Sequence, residues 1–193
     1  MSRFVVGVLA LMTLWGCGGS SAVFVEVTAW TAPTGPVDDT RIATALAGDG
    51  GDQLQMLSDV PVRNVGALAG ANLAFVIVTA KPGVGGINPR ECMVVLAGPD
   101  LAEHYCDADG EFLPHQSAHG YLALPVGSDV TFVRLTICGQ RFWEAPVNAF
   151  VVFPLTATQS SSAWAAEVFR PKHPSVIEGS RRALTDHTCT PVS

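Results

Sequence analysis

The chain has 193 residues, enough for one substantial domain or two very small ones, and 48% of them are apolar, a globular composition. The formal charge is −6, and the 11 basic residues are scattered, with Arg181-Arg182 the only adjacent pair. Nucleic-acid binding needs a concentrated basic surface that displaces counterions from phosphates, so nucleic acid is excluded as an expected partner.

Residues 1–16 form a leader: Arg3 supplies the positive charge, and Phe4 to Leu14 is an apolar run of 11 residues. That length suits the core of a signal peptide and is too short for a membrane span, which needs roughly 18 or more. The sequence Leu14-Trp15-Gly16-Cys17 follows directly. It resembles the lipobox of bacterial lipoproteins, with an aliphatic residue three before the Cys and a small one just before it; Trp15 is a bulky departure at the permissive position. The resemblance implies a diacylglyceryl group on the Cys17 thiol, cleavage before Cys17 and fatty acylation (such as palmitate) of the new amine. Two buried chains give stable anchoring. Gly18 in place of Asp implies sorting to the outer membrane of a Gram-negative bacterium. The competing reading is cleavage after Ser20-Ser21-Ala22, which releases a soluble secreted protein beginning at Val23.

After a flexible tether at 17–22, residues 23–30 alternate as a half-buried strand does, and TAPTGP breaks it. Residues 38–47 predict a short helix, with Asp38 or Asp39 as cap and Ile42, Ala45 and Leu46 at helical spacing. A brief strand is expected at 53–57, irregular chain at 60–72, and a strand buried on both faces at 73–80. KPGVGGINPR reads as a long turn. Further strands are expected at 92–97, 102–106, 120–124, 130–137, 148–153 and 163–169, and irregular chain from Arg170. Short strands between turn signals point to a mostly β fold, an antiparallel β-sandwich of Ig-like or jelly-roll-like type with one short helix, following a cleaved signal peptide. Residues 23–193 read as one domain.

Removing Cys17 leaves Cys92, Cys106, Cys138 and Cys189, an even set suited to disulfides in an oxidising compartment. Four cysteines allow three pairings; pairing of chain neighbours, Cys92 with Cys106 and Cys138 with Cys189, suits a meandering sheet. The gaps hold 13, 31 and 50 residues, without the close pairs that zinc sites use.

A second resemblance lies at 107–142, where DADGEF at Asp107–Phe112 and the Leu-Pro-x-Gly turn at Leu124–Gly127 are similar to the transthyretin-like Ig folds of carboxypeptidase regulatory-like domains. It implies a sandwich that assists folding, adhesion or binding. The long insert LPHQSAHGYLA and the missing aromatic after Gly127 depart from that pattern.

Asp107, Asp109 and Glu111 alternate as calcium ligands do, but the run lacks the Gly at position 6 and the Glu at position 12 of an EF-hand loop, and Asp-Gly is a strong hairpin signal. His115 and His119 are four apart, the spacing by which a helix presents two zinc ligands, yet Pro114 and Gly120 leave room for about one turn. With Asp107 and Asp109 they form the alternative metal site, for which the bland reading is polar loop residues. Trp143 and Trp164 are the candidate binding aromatics, weighed against a partly buried core role. The expected function is a non-enzymatic cell-envelope lipoprotein that binds or scaffolds a protein or polysaccharide and needs no cofactor. The alternative is a secreted metal-assisted hydrolase using residues 104–119.

Overall fold

The structure is a computed structural model and describes residues 24–26, 29–33, 35, 39–48, 54–57, 60, 62–82, 89–98, 100–107, 111–171, 175–177 and 188–189. Its strands are β1 (Phe24–Glu26), β2 (Trp30–Thr31), β3 (Leu54–Met56), β4 (Arg63–Leu68), β5 (Leu73–Pro82), β6 (Arg90–Ala97), β7 (Asp100–Cys106), β8 (His115–Ser117), β9 (Tyr121–Pro125), β10 (Phe132–Ile137), β11 (Gln140–Glu144), β12 (Phe150–Pro154), β13 (Trp164–Phe169) and β14 (Ser175–Ile177). One helix, α1 (Asp39–Gly48), and a 3₁₀ turn at Gln159–Ser161 complete the described elements.

The fold is mostly β and forms a sandwich. A six-stranded sheet runs β2-β4-β5-β6-β7, with β3 also on β5; a three-stranded sheet runs β12-β9-β8; a five-stranded sheet runs β1-β11-β10-β13-β14. The pairings are antiparallel except that β1 runs parallel to β11.

The three-stranded sheet lies between the other two. Tyr121, Ala123, Phe150 and Val152 pack on Phe75, Ile77, Met93 and Val95 of the six-stranded sheet. Their chain neighbours Leu122, Leu124, Val151 and Phe153 pack the opposite way, on Val133, Leu135, Ile137, Ala166 and Val168 of the five-stranded sheet. β9 and β12 therefore have no solvent face along most of their length, which is why they read as continuous apolar runs. The far face of the six-stranded sheet is covered by α1, whose Ile42 and Leu46 sit on Val76, Val78, Val94 and Leu96. Each such side chain, fully buried, contributes about 1.5–3 kcal/mol.

Four expectations need correction. The single strand over 23–30 is two strands in different sheets: β1 joins β11, and β2 joins β4. Alternation fixes which residues share a face but not which sheet they join. The irregular chain expected at 60–72 contains β4, which the pattern hid because a bulge between Asn64 and Gly66 interrupts its alternation. β8 and β11 arise where no strand was expected. Finally, the tail carries β14, paired with β13.

The bulge in β4 is held from outside. Asn148 and Ala149 form a two-residue turn, with φ of 50° and 65°, between the paired residues Val147 and Phe150. From it the Asn148 amide donates to the carbonyls of Asn64 (3.3 Å) and Val65 (2.8 Å).

The disulfides join Cys92 to Cys106 and Cys138 to Cys189. The first spans directly opposed positions of β6 and β7. In the second, Cys138 stands with Gly139 in the β10–β11 turn, both at positive φ. Among the described residues no helix is long and apolar enough to cross a membrane. The leader, Cys17, the tether, most of KPGVGGINPR and residues 108–110 lie outside the described residues.

Candidate functional site

Two constellations gather polar or aromatic groups. The first lies where the edge strands β7 and β8 face one another. Glu103 and Tyr105 oppose Val95 and Met93, so both side chains enter the space between the six- and three-stranded sheets. A register shift at Val95/Leu96 turns Leu101 to the α1 side. From the other sheet, His115 opposes Ala123 and Ser117 opposes Tyr121, aiming both into the same space.

There the Glu103 carboxylate accepts a hydrogen bond from the Tyr121 hydroxyl and pairs with His115 Nε2 at 3.4 Å. Burial opposes ionisation of Glu103, but hydrogen bonds from His115, Ser117 and Tyr121, together with the His115 charge, outweigh it and hold the carboxyl down at about 2. The Tyr121 hydroxyl is pushed well above its ordinary value, by burial first and then by Glu103. Burial, followed by the Glu103 charge, does the same to Tyr105. Both phenols therefore remain protonated. The His115 ring stacks on Tyr105, with centroids 4.1 Å apart and planes at 18°. Tyr105 meets Phe112 edge-on, and Phe112 meets Phe150.

Chemically this is a carboxylate engaged by several donors, with a half-buried imidazole at its rim. Ser117 is buried; its Oγ accepts the His119 main-chain N–H at 3.0 Å, and its hydroxyl is one of the donors to Glu103.

The residues of the alternative metal site are dispersed in role. His115 belongs to the Glu103 cluster, and His119 is exposed in the turn at 118–120. Asp107 is buried just after β7, with its N–H donating to the Glu91 carbonyl at 2.9 Å; Asp109 lies outside the described residues. Among the described residues no three His, Cys, Asp or Glu side chains are grouped to hold a metal ion. Glu103, Tyr105 and Tyr121 were missed. A signal for two of them was present: positions 103 and 105 of the expected strand share a face.

The second constellation is on the five-stranded sheet, away from its core. Val133, Leu135 and Ile137 face inward, so Phe132 and Arg134 face out, beside Trp143 on β11 and Glu167 and Phe169 on β13. Phe132 stacks on Phe169 (4.4 Å, 18°) and on Trp143 (4.9 Å, 25°). Arg134 bonds Glu167 through Nε (2.7 Å) and Nη2 (2.6 Å), and its guanidinium lies 5.3 Å from the centre of the Phe169 ring. Trp143 is thus one of three half-buried rings set side by side on an outward face. Trp164 differs: it packs against the inner core of the same sheet. Trp30 is buried, bonding the Phe150 carbonyl through Nε1 at 2.9 Å.

Comparison of the chain with protein-family models, with curated proteins and with solved structures finds no match.

Proposed function

We propose that this protein is a non-enzymatic lipoprotein of the cell envelope, held at a membrane by lipid on Cys17, whose β-sandwich binds or scaffolds a protein or polysaccharide partner. One observation carries the reading. The chain has five cysteines, and four of them pair among themselves in two disulfides, which leaves Cys17, the cysteine of the lipobox-like motif, outside both. Disulfides belong to an oxidising compartment, and a cysteine outside them directly after an apolar leader is the acceptor that lipidation requires. The row of Phe132, Trp143 and Phe169, bordered by the Arg134–Glu167 pair, is the surface best suited to a partner. Aromatic rings supply large contact area at low entropic cost, and a charged border fixes orientation.

The test is detergent-phase partition of the protein expressed with its leader. The wild type should enter the detergent phase, and Cys17→Ser should move it to the aqueous phase. Equal partition of the two proteins would remove the anchor from the account.

A further inference from the structure

Where the chain leaves β7, the sheet sets two carboxylates side by side. Cys92 opposes Cys106, and the Asp107 N–H donates to the Glu91 carbonyl at 2.9 Å, so Glu91 and Asp107 form the next pair of the β6–β7 ladder. Side chains alternate along a strand, and directly opposed residues share a face. Cys92 and Cys106 pack toward α1. Glu91 and Asp107 therefore turn to the other face, the one that Met93 and Tyr105 present to the three-stranded sheet. Directly opposed side chains start from Cβ atoms only about 5 Å apart, and like charges so placed are destabilising.

The two carboxylates differ in their surroundings. Glu91 is half exposed and meets the Arg63 guanidinium at 3.4 Å, a surface pair of little strength. Asp107 is only 9% exposed, and its carboxylate makes no hydrogen bond or ion pair among the described residues. A buried carboxylate without donors is costly. Nearly all buried polar groups have partners, and an exception points to a bound water or ion. Water alone would leave the two negative charges facing one another. A cation relieves the repulsion and satisfies the buried oxygens together.

We propose that Glu91 and Asp107 bind a divalent cation of the calcium class, which ties β6 to the chain leaving β7. Carboxylate oxygens are the hard ligands such an ion takes, at about 2.3–2.6 Å, with water completing its shell. Softer metals prefer thiolate, and the nearby cysteines are joined as a disulfide and face the other way. Two carboxylates, one of them half exposed, suit a weak extracellular site with Kd about 0.1–1 mM. β7 is the edge strand of its sheet, and the ion would hold its end one ladder position past the Cys92–Cys106 bond. The site is distinct from the Glu103 cluster, whose carboxylate is engaged by Tyr121 and His115, and it does not depend on lipid at Cys17.

The test is thermal unfolding of the full chain in nonionic detergent at neutral pH and fixed ionic strength, in EDTA and in calcium chloride. In about 10 mM calcium the wild type should melt about 3–10 °C higher than in EDTA, the shift expected at 10–100 times Kd. Asp107→Asn should abolish the shift and, having lost the unpaired charge, should melt in EDTA no lower than the wild type. Glu91→Gln, at a half-exposed position, should abolish the shift as well and serves if the first variant folds poorly. Arg63→Gln removes the competing guanidinium and should lower the calcium concentration of half-maximal shift about threefold. No shift of the wild type overturns the site. So does a shift of the same size in Asp107→Asn as in the wild type, the result expected if Asp107 only shapes its turn.

Discussion

The indole of Trp30 occupies the space that a side chain at residue 66 would need: a Cβ on Gly66 would lie 2.5 Å from both Cζ2 and Cη2 of Trp30. Trp30 is fixed on its other sides by its bond to the Phe150 carbonyl and its edge-on contact with Phe75 at 5.3 Å. The ring has nowhere to move. Gly66→Ala should destabilise the protein by about 1–3 kcal/mol, the usual cost of overpacking a core. Urea unfolding is the check, and an unchanged midpoint would contradict this packing.

The Glu103 cluster predicts a pH dependence. Its carboxyl is held at about 2 in the folded chain, against 4.5 as its ordinary value. A carboxyl with a lowered folded value binds more protons when unfolded. Its contribution is therefore complete above about pH 4.5 and is lost as the pH falls toward 2. The melting temperature of the wild type should drop across that window, and Glu103→Gln should be less stable at pH 7 with a shallower drop. Parallel profiles for the two proteins would show that Glu103 is not the group responsible.

Ala149 sits at φ 65° in the turn before β12, where a Cβ is disfavoured by roughly 1–2 kcal/mol. Part of that is recovered by glycine, whose greater unfolded-state entropy offsets the remainder. Ala149→Gly should raise stability by about 0.5–1 kcal/mol, read as a higher melting temperature. A loss of stability would contradict the left-handed assignment.

The two disulfides close spans of 14 and 51 residues, for which the chain-entropy model gives about 3 and about 4 kcal/mol. Replacing both cysteines of either pair by serine should lower stability by that order. Peptide mapping without reduction should recover Cys92 linked to Cys106 and Cys138 linked to Cys189. Any other pairing would contradict the fold around β6, β7 and the β10–β11 turn.

What the sequence made legible follows from periodicity. The helix at 39–48 and the strands from β5 to β7 were readable because their apolar spacing and breakers are local. The split of 23–30 between two sheets, and the position of β9 and β12 between two others, depend on partners more than 100 residues distant in some cases, such as Trp30 and Phe150. Local pattern carries no such information. The candidate site was half legible for the same reason. His115 and Trp143 stand out by residue type, whereas Glu103 and Tyr121 become a pair only when the edges of two sheets meet. The metal reading rested on the four-residue spacing of His115 and His119, which is meaningful on a helix. β8 and the turn after it are not helical.

Intact-mass analysis of the mature protein tests the anchor at Cys17. The mature chain should begin at Cys17, lack residues 1–16 and carry the added mass of a diacylglyceryl group and an amide-linked acyl chain. A mature chain that begins at Val23 and carries no lipid would contradict it.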